Sequence, residues 1–226
     1  MNQIFALLPM KGHSERIPNK NMRNFYGNPL YCKIIESLLK SKYIKSVVID
    51  TDSLVIANDA LKRFDRIKII DRPDKLRGDF VSMNNIIAND LSQLSGKHFL
   101  QTHSTNPLLT TDTINKAIER YFEKIRRHDS LFSVTRLQFR LYWQDGTPIN
   151  HSPDELLRTQ DLQPVFEENS NLYIFSKKSF KDAGNKRIGL KPQMFEIDKL
   201  EAIDIDELND FELAKILYKL PKSERR

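Results

Sequence analysis

One cysteine, Cys32, stands among 226 residues. Its isolation excludes an intrachain disulfide and points to a reducing compartment, read here as the cytoplasm. The seven glycines form neither GxGxxG nor GxxxxGK[ST], so the sequence carries no dinucleotide fingerprint and no P-loop. No apolar run approaches the roughly 18 to 20 residues of a membrane span, and the N-terminus lacks a basic region ahead of an apolar core. Zinc-finger spacing, basic heptads and RNA-binding aromatic signatures are missing too. The net charge of +6 is diffuse, which fits an anionic small ligand at least as well as nucleic acid. No membrane or nucleic-acid partner is therefore expected. Without repeats or low-complexity linkers, residues 1–226 read as one domain.

What is present is an alternation of two periods. Ile4 to Leu8, Ser46 to Asp50, Arg66 to Ile70, His98 to Thr102, Leu131 to Thr135 and Asn171 to Ser176 are short apolar runs that suit buried strands, and Glu201 to Asp206 is read as another. Helical patterns lie between them. Asn28 and Pro29 read as cap and first turn before Leu30, Ile34, Ile35, Leu38 and Leu39; Ser82 reads as the cap of MNNIIANDLSQL; Thr111 or Asp112 as the cap of a helix through Ile125. Glu207 to Leu220 closes the chain as a helix, followed by a frayed KSERR tail. Strand, helix, strand, helix predicts an α/β, Rossmann-like, mostly parallel sheet with helices on both faces. From 136 to 165 the rhythm breaks, and Asp145-Gly146 between strand-like flanks marks an inserted hairpin.

The loop after the first strand, PMKGHSERIPNKN, is dense in charge. In an open parallel sheet it lies where a phosphate cradle belongs. Gly12 permits close backbone approach, Ser14 and the loop amides donate, and Lys11, Arg16 and Lys20 bring charge for several phosphates. The alternative is a solvated basic turn. Near the other end, EAIDID would send Ile203 and Ile205 to one face and Asp204 and Asp206 to the other. Two adjacent carboxylates need a shared cation or several donors, so they read as magnesium ligands or, for Asp206, as a helix cap.

PMKGHSERIPNKN resembles the P-A-R-G-G-S-K-G-I-P-x-K-N signature of the acylneuraminate cytidylyltransferases, which load sialic-acid-like sugars onto CMP. The likeness continues through NPLYCKIIESLLKS, VVIDTDSLVIANDA, RPDKLRGDFVS, LQTHSTNPLLTTDTI, FEENSNLYIF and EAIDIDELNDFELA. It implies a CTP-dependent enzyme of the nucleotide-diphospho-sugar transferase-like fold, homodimeric through the 136–165 insertion, with CTP and an acidic sugar as substrates and Mg2+ as cofactor. Lys11 and Lys20 would be catalytic. Nucleotide contacts would come from Lys11, Gly12, Ser14, Arg16, Lys20, Asn21, Arg72, Asp79 and Ser82. The acceptor would meet Gln101, Ser104, Thr105, Asn106, Arg158, Gln160 and Asn169, and the metal Asp204 and Asp206. Departures from the family pattern are His13, Glu15-Arg16, Leu109, Glu167 and Ser170. They leave room for a phosphonate, sugar phosphate or 3-deoxy sugar acid as acceptor, or for a catalytically silent nucleotide-binding or scaffold protein. His103 is a possible general base.

Overall fold

A computed structural model describes residues 3–220; the KSERR tail lies outside them. In chain order the strands and helices are β1 (Ile4–Leu7), β2 (Asn24–Phe25), β3 (Asn28–Pro29), α1 (Tyr31–Leu39), β4 (Ile44–Thr51), α2 (Leu54–Arg63), β5 (Ile67–Asp71), α3 (Met83–Ser92), β6 (His98–Gln101), α4 (Thr111–Lys124), β7 (Ser130–Leu137), β8 (Val165–Ser176), α5 (Lys177–Asp182), β9 (Pro192–Glu196) and α6 (Leu208–Lys219). Seven strands form one sheet in the order β5-β4-β1-β6-β8-β7-β9. Four of its pairings are parallel, and β8 runs antiparallel to both of its neighbours.

Alternation along the strands builds two cores. Ala6, Val47, Ile49 and Leu100 face α1, α2 and α4, meeting Ile34, Ile56 and Ile118. Leu7, Val48 and Phe99 point the other way, to Ile87 and Leu91 of α3 and Phe180 of α5. Helices therefore cover both faces, as the alternating pattern predicts. A third cluster gathers Ile17, Phe25, Leu30, Ile205, Phe211 and Ala214, tying the phosphate loop to α6.

Several local readings shift. Asn28 and Pro29 do not cap α1; they pair with Asn24 and Phe25 as a small hairpin, and the helix starts after Leu30. Thr110, one residue early, caps α4 by accepting from Thr113 N at 3.2 Å. Ser82 caps α3 as expected. EAIDID forms no strand. It is tied toward the sheet by Ile205 N donating to Thr105 O at 3.0 Å and by Asn171 Nδ2 of β8 donating to Ala202 O at 3.0 Å, and Ile203 and Ile205 do share one apolar cluster. β9 has no counterpart in the sequence reading. In the insertion, Asp145-Gly146 makes the expected turn, with Trp143 N donating to Thr147 O at 2.8 Å and Gly146 at φ +85°.

Candidate active site

The carboxyl ends of β1, β4 and β6 open into a cavity of about 450 Å³ bordered by Lys11, Ser14, Arg16, Lys20, Asn21, Arg72, Asp79, His103, Ser104 and Thr105. A second, of about 690 Å³, lies by β7 and β8 and is bordered by Glu167, Glu168, Asn169, Ser170, Asp204 and Asp206. The wall between them is ionic. Asp206 Oδ1 accepts from Arg16 Nη2 at 2.6 Å and lies 3.7 Å from Lys20 Nζ, both cations belonging to the first cavity.

The loop is fixed by its own short contacts. Gly12 N donates to Asp52 Oδ1 at 2.7 Å, and a Cβ on Gly12 would sit 2.8 Å from Ser53 Cβ. The glycine is needed for approach to the start of α2, an additional reason beyond the phosphate approach read from the sequence. Asn21 Nδ2 donates to Lys11 O at 2.9 Å, while Asn21 Oδ1 accepts from Ser104 Oγ at 2.7 Å, so Asn21 and Ser104 brace the loop against the end of β6. Lys20 Nζ donates to Ile205 O at 2.7 Å. Burial lowers its pKa, and the Asp206 charge opposes that shift. Lys11 pairs with Asp79 across the cavity mouth, which holds that carboxyl below its ordinary range.

Other expected contacts fall elsewhere. Arg72 borders the cavity but is 1% exposed, and its guanidinium is bound to the Asp50 carboxylate and the Asp50 and Met10 carbonyls. It is a floor brace rather than an open phosphate ligand. Beneath it Asp90 is also buried, with its carboxyl pushed up to about 9, first by burial and then by the Asp50 charge. Ser82 Oγ accepts from Asn84 N at 3.3 Å, which is the helix-cap role. Gln101 and Asn106 are fully buried: Asn106 reaches Ile203 O at 3.5 Å, and Gln101 contacts Thr102, His103 and Arg187. Asn169 borders the second cavity with its amide tied to Ser133 Oγ at 2.6 Å and Thr135 Oγ1 at 2.9 Å. Arg158 and Gln160 border neither cavity of their own chain, and Arg158 pairs with Asp161 at 2.7 Å.

Asp204 and Asp206 do converge on the second cavity. Asp204 Oδ1 is buried without a hydrogen-bond partner, and burial raises the pKa of its carboxyl. Asp206 is not the cap of α6: Asp210 Oδ2 accepts from Asp206 N at 3.0 Å and Glu207 N at 2.7 Å, leaving the Asp206 carboxylate to the cleft. An orphaned carboxylate oxygen beside a second carboxylate suits a hard cation. Among the described residues no group of three or more His, Cys, Asp or Glu side chains could hold a metal, so other ligands would have to come from substrate oxygens and water.

The sequence reading missed Arg187, in the loop between α5 and β9. It is mostly buried, donates from Nη1 to Gln101 Oε1 at 2.8 Å, and lies with Cζ 3.7 Å over the Tyr173 ring.

An open α/β sheet with a basic loop beyond β1 and paired acids across the cleft defines a nucleotide-binding transferase class of site. The Cytidylyltransferase family model matches residues 5–223, and the chain belongs to that family. Similar proteins include the pseudaminic acid cytidylyltransferase of Campylobacter jejuni serotype O:2, 28% identical over 95% of this chain and 96% of its own. The N-acylneuraminate cytidylyltransferase of Streptococcus agalactiae serotype V is 25% identical over 91% of this chain and 51% of its own. In fold, the chain resembles CMP:2-keto-3-deoxy-manno-octonic acid synthetase complexed with CTP, with a TM-score of 0.71 at 10% identity, covering 96% of this chain and 98% of that one.

Proposed function

We propose that this enzyme transfers CMP from CTP to an acidic nonulosonic sugar and releases pyrophosphate, working in the cytoplasm as a homodimer with Mg2+. The observation that carries the reading is the ionic wall: Arg16 and Lys20 from the nucleotide-side loop meet Asp206 at the boundary of the second cavity. A reaction joining a polyphosphate to a second substrate needs both cavities to share one such boundary.

An acceptor hydroxyl in the second cavity would attack the α-phosphorus of CTP. A bond forms from that oxygen to phosphorus as the hydroxyl proton passes to solvent water, the bond to the bridging oxygen breaks, and pyrophosphate departs with the electron pair. Lys11, Arg16 and Lys20 would bear on the phosphate oxygens where negative charge develops. Asn21 and Ser104 hold the loop so that these charges are preplaced. Asp204 and Asp206 would hold the Mg2+, which would supply Lewis-acid stabilisation of phosphoryl charge. The exposed Phe139, Tyr142, Trp143 and Leu156 of the insertion give the dimer reading an apolar surface to bury.

The test is pyrophosphate release from CTP, ATP, GTP and UTP with a panel of acceptors: pseudaminic acid, N-acetylneuraminic acid, an eight-carbon 3-deoxy sugar acid and a sugar phosphate. Turnover confined to CTP with a nonulosonic acid is expected. Equal turnover with ATP, or preference for the sugar phosphate, refutes the assignment.

A further inference from the structure

Arg187 can only donate hydrogen bonds, so its contact fixes the Gln101 side chain with Oε1 toward the guanidinium. Gln101 Nε2 is thereby turned the other way, donating to Thr102 O at 2.9 Å and facing His103 Nε2 at 3.3 Å. An amide nitrogen offers hydrogens and no lone pair. His103 Nε2 is then the unprotonated ring atom, and a neutral His103 carries its hydrogen on Nδ1. Burial first, then the charges of Arg187 and Lys20, push the ring down to about 4 against the opposing pull of Asp206. His103 borders the phosphate-loop cavity. Arg187 Nη2 also reaches Tyr173 OH at 3.2 Å, and that hydroxyl donates to Glu168 on the border of the second cavity. One half-buried guanidinium thus links groups on both cavities.

We propose that Arg187 is a positioning residue that acts through Gln101 to hold His103 as a neutral, Nδ1-protonated donor toward an anionic oxygen of the bound substrates. This assigns His103 a donor's part rather than that of a general base. The proposal rests on the transfer reading only for the source of that oxygen, a phosphate of the nucleotide or a carboxylate of the acceptor.

The test uses the full chain with 15N-labelled histidine. Long-range proton–nitrogen spectra distinguish ring tautomers, and His103 is picked out from the five histidines by the signal lost in His103→Asn. The wild-type protein at neutral pH is expected to show the Nδ1-H pattern. Arg187→Met, or Arg187→Gln if the first does not fold, frees the Gln101 amide to turn over and should give mixed tautomers.

In kinetics, His103→Asn keeps a donor nitrogen close to the position of Nδ1 and should retain most activity. His103→Leu should raise a Michaelis constant about 10- to 100-fold, the range for losing a hydrogen bond to a charged group. A rise confined to CTP identifies a phosphate oxygen, and one confined to the acceptor a carboxylate. An Nε2-H tautomer in the wild type, unchanged spectra in both Arg187 variants, or identical behaviour of folded His103→Asn and His103→Leu overturns the proposal. Failure of the transfer reading is separate: the wild type then turns over no acceptor, while the spectra and CTP dissociation constants still decide the role of Arg187 and His103.

Discussion

Gly12→Ala probes how tightly the phosphate loop is seated. The added Cβ would lie 2.8 Å from Ser53 Cβ, 3.2 Å from Ser53 Oγ and 3.4 Å from Asp52 Oδ1. A Cβ cannot swing aside as a rotamer end can, so the loop or the start of α2 must move. Overpacking of this kind costs about 1 to 3 kcal/mol, equivalent to roughly 2 to 12 °C in Tm for a domain of this size. Movement would also stretch the 2.7 Å bond from Gly12 N to Asp52 and displace the neighbouring Lys11, raising KM for CTP. Ser53→Gly removes the obstructing atoms. Because Ser53 caps α2 through Ile56 N at 3.4 Å, that change alone should cost only a few tenths of a kcal/mol. The Gly12→Ala/Ser53→Gly double variant should therefore recover most of both losses, with a coupling energy of about 1 kcal/mol or more in a double-mutant cycle. Thermal melts and CTP kinetics on the four proteins measure it. Strictly additive losses would show that the clash with Ser53 is not the reason for the glycine.

Lys20→Ala should lower turnover by about 2 to 4 kcal/mol of transition-state stabilisation, roughly 30- to 1,000-fold, with an unchanged circular dichroism spectrum; wild-type turnover would make Lys20 a bystander. Asp204→Asn and Asp206→Asn should each raise the magnesium concentration for half-maximal activity and lower the maximal rate, with the double variant nearly inactive. An unchanged magnesium dependence in all three removes the pair from the mechanism. Asp90 gives a pH prediction. Its folded pKa of about 9 lies above the ordinary 3.8, so the folded state holds a proton that the unfolded chain releases, and the associated stability is present below about pH 4 and lost as pH rises toward 9. The slope from this group reaches at most about 1.4 kcal/mol per pH unit. Asp90→Asn should flatten stability against pH in urea titrations between pH 5 and 9; an unchanged slope would show that the proton is not held there.

The legible parts of the sequence were those whose cause is local. The apolar spacing of Ile114, Ile118 and Tyr121 needs only one helix face, and Ser82 caps α3 through a contact two residues away. EAIDID misled because alternation reports which side is buried, and says nothing of whether a neighbouring strand is present to pair with. Ile203 and Ile205 do pack together, but against the phosphate loop and α6 rather than within the sheet. β9 escaped notice because it begins with Pro192 and lies at the sheet edge with alternate residues exposed. Arg72 shows the same limit in the site. Its motif placed it by the nucleotide, but its engagement follows from β4–β5 register, which seats it beside Asp50, 22 residues earlier. Arg187 had no local signature at all, since its partners are 86 and 14 residues away.

The cleft's cations are already occupied in this structure, and the identity of the occupants bears on how substrates enter. Lys11 is held by Asp79, Arg16 by Asp206, and Lys20 by Ile205 O with Asp206 nearby. The Lys11 and Arg16 pairs are substantially exposed and so contribute little to stability. They do keep flexible side chains near the cavity at small energetic cost, where a polyphosphate with several charges can outcompete a single carboxylate. Each exchange leaves a carboxylate without its cation. Asp206 would then carry uncompensated charge beside Asp204, whose buried oxygen already has no partner. Two adjacent carboxylates in that condition attract a divalent cation more strongly than they do in the paired state. Nucleotide and magnesium should accordingly bind with positive coupling, each increasing affinity for the other by the same factor. On this reasoning the Arg16–Asp206 pair would link phosphate capture on one side of Asp206 to cation recruitment on the other.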